Sequence, residues 1–182
     1  MTKGRKSRVT TRSPQASSGW AEGLERLGRL IPGVGRYQDR EGLRETDKRV
    51  RAHLAELLAD LARTVEGATR RLTQAGRLDR LSALDRVARL LNTLADRIRF
   101  AGYGFTGVFD LHKIRERELA AIHRFDLGLV EAISGLRQPL QDLADRVSDE
   151  PAFSQAMQAV EARLEELERT LAERDRLLRG LE

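Results

Sequence analysis

Three histidines, His53, His112 and His123, are the side chains of this 182-residue chain best suited to proton or metal chemistry near neutral pH. Their spacing does not make a metal site. His112 and His123 share one helix face but lie about 16 Å apart along it, too far for one ion. Neither Glu-x-x-His nor His-Glu-x-x-His occurs in the chain. Near His123 stand four acids, Glu116, Glu118, Asp126 and Glu131. If one is buried, its pKa is raised and it suits general acid work, but acids of this kind usually sit on a solvated face, and no spacing selects a pair. There is no Gly-x-Ser-x-Gly element, and the absence of cysteine excludes disulfides, thiolate ligands and a cysteine nucleophile. The residues point to no cofactor, no metal and no enzyme.

Gly102-x-Gly104-x-x-Gly107 matches the dinucleotide-binding pattern in letters only. That motif works where a strand delivers the glycines to a helix N-terminus, and here the preceding LADRIRF reads as helix. The same stretch, residues 100–109, is nonetheless unlike the rest of the chain. It holds Phe100, Tyr103, Phe105 and Phe109, four of the eight aromatics in the sequence. Arg97, Arg99, Lys113, Arg115 and Arg117 flank it, and aromatics beside arginines suit single-stranded nucleic acid. The simpler expectation is a glycine-permitted turn that carries aromatic bulk to one end of an aliphatic helical bundle. A second polar cluster runs Arg36-Tyr37-Gln38-Asp39-Arg40-Glu41, followed by Asp47 and Arg51.

The elements that must position these residues are helices. Leu, Ala, Arg and Glu dominate, 34% of residues are charged, and there are four prolines. Residues 20–31 form a short amphipathic helix with Trp20, Leu24, Leu27 and Ile31 on one side, stopped by Pro32-Gly33. A long helix is expected over about 43–75, carrying Val50, Leu54, Leu57, Leu58, Leu61, Val65, Ala68 and Leu72 and ended by Gly76. A second covers about 78–100, capped by Ser82 or Asp79, and a third about 110–136, begun at Asp110 and broken by Pro139.

The last segment has the strictest pattern. Phe153, Met157, Val160, Leu164, Leu167, Leu171, Arg174, Leu178 and Leu181 alternate spacings of four and three, a heptad seam with one charged exception. The Ser148-Asp149-Glu150-Pro151 start signal precedes it. Its length, about 45 Å, fits equally a coiled-coil arm and the closing helix of a bundle.

Charge is distributed unevenly. Residues 1–20 hold Lys3, Arg5, Lys6, Arg8 and Arg12 with no acid, whereas residues 141–182 hold six basic and eleven acidic side chains. Residues 1–19 are rich in Ser, Thr, Gly and Pro and are expected to be disordered. Their composition also suits an organelle transit peptide, but the Arg/Leu/Ala/Asp bias of the remainder suits a GC-rich bacterial chain, and a cytoplasmic location is expected. No apolar run reaches the length of a membrane span.

The segments IPGVGRYQDREGLRETDKRVR (31–51) and RFAGYGFTGVFDLHKIRERELAAIHRFDLGLVEAI (99–133) resemble a family of small bacterial helical proteins without an assigned activity. The resemblance covers about residues 30–135 and implies one folded unit and no catalytic residues.

The expectation is an all-α protein: a disordered basic tail (1–19), a short amphipathic helix (20–31), an antiparallel helical bundle of three to four long helices (32–149) and a coiled-coil-like C-terminal helix (150–182). Its expected function is that of a non-enzymatic scaffold or adaptor. It would self-associate or bind a helical partner through Met157, Val160, Leu164, Leu167, Leu171 and Leu178. The alternative is an electrostatic binder of nucleic acid or an acidic membrane surface, through Lys3, Arg5, Lys6, Arg8, Arg12 and Trp20. A binding loop at Phe100, Tyr103, Phe105 and Phe109 is a third expectation.

Overall fold

The computed structural model describes residues 19–34, 40–76, 78–101 and 116–179. Over these residues the protein is an all-α bundle of six helices: α1 (Gly19–Leu30), α2 (Arg40–Gln74), α3 (Leu81–Phe100), α4 (Glu116–Gly135), α5 (Arg137–Asp145) and α6 (Glu150–Arg179). The apolar stripes read from the sequence become one continuous core. Leu54, Leu58, Leu84, Leu91, Leu129, Leu140, Leu143, Val160 and Leu167 are fully enclosed in it.

Ion pairs and hydrogen bonds fix the directions. Arg51, near the start of α2, donates to the Arg99 carbonyl at the end of α3, so these two helices are antiparallel. Arg80–Glu150, Arg86–Glu161 and Arg97–Asp175 join α3 to α6 in ascending order, so these two run parallel. The α4–α5 pair returns antiparallel to α6, and α1 lies on α4. No described helix is long and apolar enough to cross a membrane.

Helix ends follow local chemistry with one correction, at the start of α3. The α2 stop is as expected: Gly76 takes the left-handed conformation (φ 69°) just beyond the helix. Asp149 caps α6, its Oδ1 accepting from the Ala152 amide at 3.3 Å. Neither Ser82 nor Asp79 caps α3, whose cap residue is Arg80 with no side-chain cap bond. The side chain of Arg80 is instead drawn across the bundle to the Val147 carbonyl and Glu150. Pro139 ends the third helix as expected, α4 stopping at Gly135, and itself lies in the first turn of α5. There a missing N–H costs nothing, while its ring excludes the carbonyl four residues back, at Gly135, where α4 ends.

The heptad stripe is internal. Phe153, Met157, Val160, Leu164, Leu167 and Leu171 are all buried in the chain's own core. Met157, Val160, Leu164, Leu167 and Leu171 therefore do not form an open partner surface, because α4 and α5 already cover that face. The Leu178 side chain and Leu181 lie outside the described residues. A chain ending at Asp149 is expected to lose cooperative thermal unfolding in circular dichroism, and Leu167→Ala to lower stability by about 2–5 kcal/mol. An unchanged melt of the shortened chain would show that α6 is not part of the core.

Candidate functional site

The one charged position in the heptad stripe is the centre of the buried polar structure. Arg174 is 2% exposed, and its guanidinium bridges two helices. Its Nε donates to Asp126 Oδ1 on α4 at 2.7 Å, and its Nη2 donates to Asp47 Oδ1 on α2 at 2.9 Å. Asp126 and Asp47 are themselves 2% and 8% exposed. The second Asp47 oxygen accepts from Arg51 Nε at 2.7 Å, and Arg51 Nη1 reaches the Arg99 carbonyl at 2.8 Å. Beside this chain, Arg97 on α3 pairs with Asp175 on α6 at 2.8 Å. Four helices thus meet in one network at the end where α3 runs into residues 100–109.

His123 completes the cluster. It lies one turn before Asp126 on α4 and is 4% exposed, covered by α1. Gly23 makes that cover possible: a Cβ there would stand 3.0 Å from the His123 Cβ.

Burial decides the proton chemistry of these groups. Burial lowers the His123 pKa from its ordinary 6.5, with Asp126 opposing the shift. Burial raises the Asp126 pKa, against the opposing charge and hydrogen bond of Arg174. For Arg174 burial alone would lower the pKa, but Asp126 and Asp47 more than reverse it and the guanidinium stays charged. The network is an ion cluster with a neutral imidazole at its edge.

Asp126 was among the acids whose burial the sequence left open, and it is the one enclosed. Asp47 and Arg51 stand together in the second polar cluster of the sequence, His123 among the histidines, and Arg174 as the break in the heptad. Their convergence was not visible. Of the other expected residues, His53 is half-buried on α2 and Phe100 is exposed at the end of α3. Tyr103, Phe105, Phe109, Tyr37 and His112 lie outside the described residues, as do Lys3, Arg5, Lys6, Arg8, Arg12 and the Trp20 side chain. The apolar stripe behind Trp20 is not an open membrane face in this state, since Leu24, Leu27 and Ile31 are buried against the bundle.

Among the described residues no three His, Asp or Glu side chains converge to hold a metal ion. Between Asp47 and Asp126, the place a cation would take is filled by the Arg174 guanidinium. A second feature open to a ligand lies between α3 and α6. There a cavity of about 230 Å³ is lined by Arg86, Val87, Leu90, Glu161, Leu164, Glu165 and Glu168. Comparison of the chain with protein-family models, curated proteins and solved structures gives no match.

Two outcomes test the cluster. Asp126→Ala leaves a buried guanidinium short of a partner and is expected to cost about 3–5 kcal/mol in denaturant unfolding, whereas replacing Arg174, Asp126 and Asp47 together by Met, Leu and Leu recovers most of that loss. The pH dependence has a definite sign. His123 has a folded pKa below 6.5, so its contribution is complete above that value and is lost as pH falls through the folded value. Asp126, raised by burial, contributes in the opposite sense, favouring the folded state at lower pH. The difference between the parent and His123→Gln isolates the histidine: the parent is expected to lose stability relative to the variant as pH drops below about 6.5.

Proposed function

We propose that the protein is a non-enzymatic adaptor that takes a basic amphipathic helix in the groove between α3 and α6. One observation carries this reading: the groove has an apolar floor of Val87, Leu90 and Leu164 and a rim of three glutamates against a single arginine. Helices bind such surfaces by laying two or three apolar side chains into the floor. The rim selects among them by charge, favouring lysine or arginine beside the anchors. The C-terminal helix thereby keeps a partner-binding role through Glu161, Glu165 and Glu168, while its heptad stripe, the nearly enclosed Leu164 at the base of the cavity included, holds the bundle together.

The buried charges support a binding protein over a catalyst. Asp47, Asp126 and Arg174 are committed to one another, and a catalytic acid or base needs access to the atom it serves.

Titration with a synthetic peptide of leucines at helical spacing flanked by lysines tests the reading by calorimetry. Leu90→Asp and Glu165→Lys are each expected to weaken binding about tenfold, Glu165→Lys at unchanged melting temperature and Leu90→Asp with a lowered one, because Leu90 packs against the core. No binding, or binding indifferent to both changes, rejects it.

A second reading has its own support. Lys3, Arg5, Lys6, Arg8 and Arg12 with no acid among them suit electrostatic attachment to an anionic surface, falling steeply with salt.

A further inference from the structure

The two walls of the α3–α6 groove carry opposite charge. On α6 stand Glu161, Glu165 and Glu168, spaced four and three residues apart and so on one face of the helix. On α3 stand Arg86 and, three residues on, the exposed Arg89. Val87, Leu90 and Leu164 form the apolar base between the walls. The backbone of α3 packs closely on α2 and not on α6, which leaves room between the walls.

Most of these charges are uncommitted. Arg86 and Glu161 meet at 3.6 Å with side chains 67% and 49% exposed. A pair so long and so open to water contributes little and yields to a better partner. Glu165, Glu168 and Arg89 belong to no ion pair among the described residues. Arg169, one turn beyond Glu165, donates its Nε to the Glu165 carbonyl rather than to the carboxylate.

Resting on the reading of this groove as a helix site, we propose that its partner is a charge-segregated amphipathic helix. Its apolar anchors point down, lysine or arginine lines the flank facing α6, and aspartate or glutamate lines the flank facing α3. The reason is geometric. A helix lying between two parallel helices turns its apolar stripe to the base and one flank to each wall, and flank charges then decide partner and orientation. A helix with lysine on both flanks satisfies the glutamates but sets its other flank against Arg86 and Arg89, like charges at close range. One with acids on both flanks meets the same repulsion at three glutamates. The segregated helix finds opposite charge on both sides. Its bases reach Glu165 and Glu168 as they stand. Its acids draw Arg86 from Glu161, and a base replaces Arg86 there, so no charge is left alone. Phosphate-rich partners, whether lipid headgroups or nucleic acid, are repelled by the α6 wall.

The test uses three synthetic peptides with the same leucine anchors, matched for helix content by circular dichroism and titrated into the full chain by calorimetry. The first carries lysine on one flank and glutamate on the other, the second lysine on both, the third glutamate on both. The first is expected to bind about tenfold tighter than the second, and the third not measurably. The margin should shrink between about 50 mM and about 500 mM salt, as the flank charges are screened. Arg86→Glu combined with Arg89→Glu turns the α3 wall acidic and should invert the order, placing the all-lysine peptide first. Because this exchange creates binding rather than removing it, damage to the fold cannot imitate it. All-lysine binding as tight as segregated binding in the parent, or an order unmoved by the double variant, overturns charge segregation and leaves the groove a site for basic helices. No binding of any peptide overturns the segregation and the groove reading together. A free chain that is dimeric by light scattering, and parts on adding the segregated peptide, puts a second copy in the groove and overturns the foreign partner.

Discussion

The rest of the bundle depends on how Arg174 is satisfied. A guanidinium inside an aliphatic core is tolerable only if its donors meet acceptors, and the fork fixes where those must stand. Nε points to Asp126 and Nη2 to Asp47, on two different helices. The surrounding contacts are Leu, Val and Ala, which pack acceptably in several registers. A slip of α6 by one turn would exchange some leucine contacts for others at modest cost. It would also leave a cation and two carboxylates buried apart, which is severe. The polar cluster therefore selects one register from a set that the hydrophobic stripe leaves nearly degenerate.

The far end of the bundle has its own arginine. Arg80 donates to the Val147 carbonyl and Glu150 and lies over the Phe153 ring, 5.0 Å from its centroid. So α3 and α6 are pinned at both ends: by Arg80 at one, and by Arg97–Asp175 at the other. Between the pins, the exposed Arg86–Glu161 pair, at 3.6 Å, is the one ion pair among the described residues that spans the two helices. Two parallel rods fastened at their ends need not interlock at mid-length, and the groove floored by Val87, Leu90 and Leu164 lies there. The same end-fastening that sets register thus leaves a cavity between the two helices at mid-length.

The helices were legible because each buries one stripe, and a stripe of period 3.6 is a property of neighbouring residues. Val50 to Leu72, Leu84 to Ile98 and Phe153 to Leu171 could be read directly. The chain stop at Gly76 and the cap at Asp149 are equally local. What escaped was what distance in sequence hides. Arg174 meets Asp126 across 48 positions and Asp47 across 127, and no spacing rule links them. The α3 cap went astray for the same reason: Ser82 and Asp79 are good caps by composition, but the turn is organised by the reach of Arg80 to residues about seventy positions away. Pro139 ends the third helix where the sequence places it, within a residue of Leu136, since its ring acts on the carbonyl one turn upstream.

A heptad repeat alone does not say whether a helix closes its own bundle or pairs with another copy. The charged exception does. In a parallel pair of identical α6 helices, Arg174 would sit at the seam opposite its own copy, two cations in an apolar interface with no acid at a seam position to receive them. Folded back, the same side chain finds Asp126 and Asp47 already placed on α4 and α2. The difference is two buried like charges against a cation with two anions, larger than any gain from exchanging one set of leucine contacts for another. Read with the buried acids, position 174 decides what the stripe around it leaves open.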